Sequence, residues 1–363
     1  MKKSLLFIFL FLLLIPTVTV KASTETASQY ILMDLSTGRI LEGKDYNNPK
    51  LIASITKIMT SLIAIESNRL DETVIVDESI LKSYGSGIYI QVGEELTLRE
   101  LLYGLMLRSG NDAALMVSTF IAGTEENFVK LMNNKAKEIG MKNTTFVNSS
   151  GLDETDDGNH STAYDMALLT RYAMQYDEYR KIVSTKKYVL KTNYKTYVWH
   201  NKNKLLAYDY ITGGKTGFTT KARRTLVTTA NINNMEFIVV TIKDSDDWNT
   251  HTQLYEEAKN KYSLYKVLDK NKFKIENQTY YQSKLYIKDD LYMPLTKEEK
   301  NKVTTKIKLE QLKDYNNNDK VGVCQIYIDD KYITEINIYV EKQPNVKEKQ
   351  NIFTKIWELI KFW

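Results

Sequence analysis

The chain has one cysteine in 363 residues, which excludes an intramolecular disulfide framework. Cys324 lies in an alternating apolar run and reads as a buried strand residue. Histidine is nearly as scarce: His160, His200 and His251 are the full set. Only His160 falls in a plausible site loop, and no G-x-S-x-G serine accompanies it, so a Ser-His-Asp triad is poorly supported. All three read as surface or structural histidines. H-E-x-x-H and clustered ligands are also missing, so no metal site is expected. The net charge of +5 is spread along the chain without a basic run of the nucleic-acid-binding kind. It suits solubility and an anionic surface equally. The long apolar run, Leu5 to Ile15, is shorter than the about 20 residues a spanning helix needs.

That run does fit another role. Lys2 and Lys3 precede it, and Pro16 and Val20-Lys21-Ala22 follow. Positive charge, apolar stretch and small-residue site make a secretory signal peptide, residues 1–22, cleaved after Ala22. The mature protein is expected outside the cytoplasm, and its length accommodates two domains.

Chemistry concentrates at three places. Ala53-Ser54-Ile55-Thr56-Lys57 reads S-x-x-K at the head of an apolar helical run. Three positions apart on a helix, Ser54 and Lys57 share a face. A serine hydroxyl is a weak nucleophile until a base takes its proton, and a lysine can do so only when its pKa is pulled down. Burial and a second nearby cation both act that way. Alone the motif is weak, since serine as a helix cap with lysine in the first turn is common. Two further stretches sharpen it: Ser109-Gly110-Asn111 between two helical runs, and Lys215-Thr216-Gly217 leading to a β-rich stretch.

Around these sites the pattern predicts an α+β domain. A hairpin spans Gln29 to Glu42 through Ser36-Thr37-Gly38. Thr97-Leu98-Arg99-Glu100 is a capping box opening a helix to about Leu107. Further helices run from Ala113 to Ile121, from Thr124 to Ile139 stopped by Gly140, and from Ser161 or Thr162 to Met174. Strands follow at Thr225 to Ala230 and Glu236 to Ile242, then a helix from Trp248 to Tyr265 closes the domain (residues 23–265). Residues 271–342 alternate in short runs and read as a small all-β domain without a catalytic constellation. In the last segment, 343–363, a charged linker leads to a tail in which Phe353, Ile356, Trp357, Ile360 and Trp363 form one apolar face. Such a helix suits a membrane interface; docking on the β domain is its other reading.

The ordered set Ser-x-x-Lys, Ser-x-Asn and Lys-Thr-Gly resembles that of penicillin-binding proteins and serine β-lactamases. With the export signal, β domain and tail, most of the chain resembles the low-molecular-mass penicillin-binding proteins, the serine D-alanyl-D-alanine carboxypeptidases. Asn111-Asp112-Ala113-Ala114 and Ser161-Thr162-Ala163-Tyr164-Asp165-Met166 share the likeness. The resemblance implies hydrolysis of the terminal D-Ala–D-Ala bond of peptidoglycan stem peptides, with β-lactams as covalent inhibitors and no cofactor. It implies Ser54 as nucleophile, Lys57 as its base and Ser109 as a proton relay to the leaving D-alanine. Asn111 would line the opposite wall, Lys215 would keep the site positive, and Thr216 and Gly217 would set the strand edge for substrate. The oxyanion hole would fall on the N–H groups of Ser54 and Phe218. Two features depart from the family: Phe218 occupies a variable position, and no arginine between Asp244 and Thr252 offers a second carboxylate contact. Arg223 and Arg224 lie closer to the motif without an evident role. Alternative readings are a class A-like β-lactamase, for which Glu154 would have to serve deacylation, and a non-catalytic peptidoglycan-binding protein.

Overall fold

The computed structural model describes residues 26–341 apart from 154–157, 277 and 282. The expected signal segment, Glu154 and the tail therefore lie outside the described residues. At the centre is a five-stranded antiparallel sheet, ordered Ile40–Lys44, Ala27–Asp34, Met235–Asp244, Arg223–Ile232 and Ile211–Thr219. Its inner strands are near-continuous apolar runs because both faces are covered. Alternate side chains divide between two cores. Ile31, Met33, Val227, Ile238 and Val240 join one, while Leu32, Leu226, Phe237 and Val239 join the other. Each such side chain contributes about 1.5–3 kcal/mol when fully buried. The first core also takes Ile58, Met59 and Leu62 of the helix Lys57–Glu66. The second takes Leu254, Tyr255 and Ala258 of the helix Asp247–Lys261.

Local signals hold where the sequence carries them. The expected hairpin forms, and the Asp34 carboxylate fixes its turn by accepting from the Ser36 hydroxyl at 2.8 Å and the Thr37 N–H at 3.0 Å. The capping box closes both ways: Glu100 N–H donates to Thr97 Oγ1 at 3.2 Å, and Thr97 N–H to Glu100 Oε2 at 2.7 Å. Thr124 caps Glu125–Ile139, Gly140 ends it at φ +89°, and Thr162 caps Ala163–Ala173.

Elsewhere the structure differs. The helix begun at Leu98 is α-helical to Tyr103, then widens into a π turn over Gly104–Arg108. The next helix starts at Asn111, earlier than its apolar spacing indicates. A helix at Asp177–Ser184 and a hairpin of Lys187–Lys191 with Thr196–His200 fill a region the pattern left open. The helix expected to reach Tyr265 stops at Lys261, and Ser263–Leu268 instead pairs with Leu291–Leu295. Leu264 and Tyr265 continue helical spacing, but strand pairing decides their state.

The C-terminal part is all-β, with a four-stranded sheet ordered Lys284–Tyr286, Lys331–Glu341, Lys320–Ile328 and Val303–Leu309. Its core includes Leu285, Met293, Val321, Ile326, Ile338 and Cys324. Cys324 is fully buried, and burial pushes its thiol up to about 11, so it is inert. Arg39, beside the first edge strand, bridges to this part: its guanidinium pairs with Glu299 and donates to the Pro294 carbonyl at 3.2 Å.

Candidate active site

Ser54 lies in a 3-10 turn, Ala53–Thr56, that feeds directly into the helix Lys57–Glu66. The turn is pinned on several sides. Thr225 Oγ1 donates to the Ile52 carbonyl at 2.9 Å, and Asn159 Nδ2 donates to Thr56 Oγ1 at 3.0 Å. Ala53 is held at φ +49°, an uncommon conformation for a residue with a Cβ. Gly151, itself at φ +87°, packs against it so closely that a Cβ would stand 2.0 Å from the Ala53 carbonyl oxygen.

The Lys57 ammonium reaches three groups. Its Nζ donates to Ser54 Oγ at 3.2 Å, Asn111 Oδ1 at 2.7 Å and the Ser150 carbonyl at 2.6 Å. It is fully buried, and burial first, then the Lys202 charge, push its pKa down to about 7 against the opposing pull of Asp112. Asp112 is occupied by the Ile88 and Tyr89 N–H groups at 3.0 and 2.7 Å.

Ser109 ends the π turn at φ +63°, which aims its hydroxyl across the cleft. Lys215 Nζ donates to Ser109 Oγ at 3.0 Å and to the Thr216 carbonyl at 2.6 Å. Asn111 bridges, accepting from Lys57 and donating through Nδ2 to the Tyr84 carbonyl at 2.7 Å. Burial, the Lys57 charge and the Lys202 charge hold Lys215 well below the ordinary lysine range as well. Both lysines are thus drawn towards the neutral form.

Lys215, Thr216 and Gly217 lie on the edge strand Ile211–Thr219, paired on one side only, with Arg223–Ile232. A Cβ on Gly217 would fall 2.3 Å from Thr225 Oγ1 and 3.0 Å from the Ser54 nitrogen. Absence of that atom is what lets the strand lie against the Ser54 turn. Phe218 stands 62% exposed at the same edge. A cavity of about 430 Å³ adjoins the other wall, between Tyr84, Asn111, Ser150 and Leu152.

The structure therefore brings Ser54, Lys57, Ser109, Asn111 and Lys215 into one hydrogen-bonded cluster, with Gly217 against it. The histidines stand elsewhere. His251 is buried between Thr228 Oγ1 and Thr241 Oγ1 at 2.7 and 3.1 Å, with its pKa pushed down to about 3 by burial. His160 Nδ1 lies 2.7 Å from the Gly158 carbonyl, and His200 is exposed. Arg224 is engaged by Asp247. Sequence reasoning missed the Ser150 carbonyl, Asp112 and Lys202. The alternation of Lys187–Lys191 and Thr196–His200 about a polar turn could have located the hairpin that carries the chain to Lys202.

Comparison with known proteins agrees with this geometry. The profile of the D-alanyl-D-alanine carboxypeptidase family matches residues 16–246, and that of the penicillin-binding protein 5 C-terminal domain matches residues 262–345. The D-alanyl-D-alanine carboxypeptidase DacF of Bacillus subtilis is 34% identical over 287 residues, covering 77% of this chain and 72% of its own. Penicillin-binding protein 5 of Haemophilus influenzae superposes with a TM-score of 0.73 at 27% identity, over 88% of this chain and 97% of that one. The carboxypeptidase DacD of Francisella tularensis superposes with a TM-score of 0.67 at 25% identity, over 87% and 93%. With a penicillin-binding-type α+β domain, an all-β domain behind it and both profiles spanning the corresponding stretches, the chain belongs to the D-alanyl-D-alanine carboxypeptidase family of serine peptidases.

Proposed function

We propose that this carboxypeptidase works through an acyl-enzyme on Ser54. Neutral Lys57 takes the Ser54 proton as Oγ attacks the carbonyl carbon between the two terminal D-alanines of a stem peptide. The N–H groups of Ser54 and Phe218 receive the developing oxyanion; such a donor is typically worth on the order of 10²–10³ in rate. Collapse breaks the C–N bond, and the proton passes from Lys57 through Ser109 to the leaving amine. Water then attacks the ester and restores Ser54. Lys215 and the Thr216 hydroxyl hold the terminal carboxylate, and that anion restores the Lys215 charge that burial disfavours. Asn111 keeps Lys57 aimed, and the substrate extends along the edge at Gly217.

The carrying observation is the Lys57 nitrogen at 3.2 Å from Ser54 Oγ, with its pKa brought to about 7. Export and attachment of the tail to a membrane surface complete the reading; among the described residues no helix is long and apolar enough to cross a membrane. The test is intact-protein mass after penicillin treatment of the chain and of Ser54→Ala, with D-alanine release from a diacyl tripeptide. A one-to-one adduct on the wild type alone, with D-alanine released, supports the proposal. No adduct on folded protein overturns it, and an adduct cleared within seconds favours a β-lactamase.

A further inference from the structure

The hairpin of Lys187–Lys191 with Thr196–His200 has no part in the scheme above. Among the described residues its second strand is paired on one side only. At the hairpin's two ends Thr192 N–H donates to the Lys195 carbonyl and Asn201 N–H to the Lys186 carbonyl, both at 2.9 Å. Antiparallel bonding alternates between these ends, so the N–H and C=O groups of Thr196, Val198 and His200 point away from the partner strand. The Arg108 guanidinium meets the His200 carbonyl from that outer side, at 3.3 Å. Thr196 and Val198 present their main-chain groups to a groove of about 460 Å³, whose other wall is Gly87–Tyr89.

That wall is firmly set. Tyr89 stands at φ +60°, unusual for a bulky residue. Its N–H donates to Asp112 at 2.7 Å, and its carbonyl accepts from the Lys195 ammonium at 2.6 Å and the Tyr197 hydroxyl at 3.3 Å. The hairpin opposite carries charge of one sign: residues 186–204 hold six lysines and no aspartate or glutamate. Glu94 is buried, accepting from the Thr192 and Tyr197 hydroxyls at 2.6 and 2.9 Å, and Glu95 sits beside the turn, its N–H on Asn193 Oδ1 at 3.1 Å. On the outer face Lys187 and Lys191 flank Val189 and its cross-strand partner Val198, which are 57% and 51% exposed. Lysines beside an open edge discourage neutral and basic strands from pairing with it. An acidic strand meets no such barrier.

We infer that the edge Thr196–His200 is a docking site for an extended acidic segment of a partner protein, which joins the hairpin as a third strand. Main-chain bonds to Thr196 and Val198 set its register, and charge selects it. Alternate side chains of that segment fall on opposite faces: carboxylates towards Lys187 and Lys191, apolar groups towards Tyr197 and Trp199. Charge argues against two other occupants. A second copy would set lysine against lysine, and residues 342–363 carry five lysines against two glutamates. The bonding groups also lie in a recess, which a peptide can enter and a flat membrane surface cannot.

The experiment uses the full chain and a fluorescent, end-blocked hexapeptide alternating valine and glutamate, read by anisotropy at low salt. The same peptide with lysine for glutamate, and inorganic polyphosphate, are the comparisons. The glutamate peptide should bind and the lysine peptide should not. Val198→Pro removes an N–H that makes no bond within the hairpin, so folding and penicillin acylation should persist while peptide affinity falls about tenfold or more. Hydrogen exchange on the wild type reads the same contact without a variant: bound peptide should protect the Thr196 and Val198 amides. No binding of the glutamate peptide, or binding that leaves both amides unprotected, overturns the inference. So does polyphosphate binding as tightly as the peptide with Val198→Pro weakening neither, which would make the hairpin a general polyanion surface.

Discussion

Lys215 Nζ stands 3.0 Å from Ser109 Oγ, so a residue of the sheet's edge strand and a residue of an interhelical turn close the cleft between them. The contact depends on the π turn before Ser109, which brings that hydroxyl round towards the sheet. With Lys57 on Ser54 and Asn111, two lysines serve two halves of one site.

Acylation should follow the protonation of Lys57. In the proposed scheme Lys57 acts as a base when neutral, and its pKa is lowered to about 7 by burial and the Lys202 charge. The rate of penicillin acylation should therefore rise with pH through about 7 and fall about tenfold per unit below it. Lys57→Ala should remove the dependence along with on the order of 10²–10⁴ of the rate. A flat wild-type profile between pH 5.5 and 8 would assign the base elsewhere.

Gly217→Ala tests the approach of the edge strand. The added methyl meets Thr225 Oγ1 and the Ser54 nitrogen, so the strand must move off the Ser54 turn. Acylation should drop on the order of 10²-fold, the scale of a lost oxyanion donor, while the melting temperature moves by only a few degrees. A fully active variant would mean that the strand can withdraw without consequence.

His251 should contribute to the acid dependence of stability. Folded, it is neutral and its pKa is pushed to about 3 by burial; unfolded, it titrates near 6.5. Between those values the unfolded chain binds one more proton. Stability should therefore be lost as pH falls from about 6.5 towards 3, at about 1.4 kcal/mol per unit from this residue. In urea unfolding across pH 4 to 6.5, His251→Gln should show a shallower slope than the wild type. Equal slopes would remove His251 from the account.

Legibility in the sequence followed how local each determinant is. Ser54 and Lys57 share a helix start, and Thr97 and Glu100 share a first helical turn, so short spacings suffice to read them. Lys202 was invisible because its place comes from a hairpin and from bonds to Leu107 and Gly213, remote in sequence. Ser150 contributes a main-chain carbonyl, which any residue type supplies. The π turn has no compositional mark, and Leu264 with Tyr265 became strand because Leu291–Leu295 lies beside them. The fold class and the core of the site were legible; the residues that tune charge around the lysines were not.

The Arg39 bridge has a mechanical corollary. It grips the all-β part beside the edge strand Ile40–Lys44, while the edge that carries Lys215, Ile211–Thr219, lies at the opposite side of the same sheet. Four inter-strand spacings, about 19 Å, separate the two edges. The Arg39 grip on the all-β part is thus set across the full width of the sheet from the strand that carries Lys215.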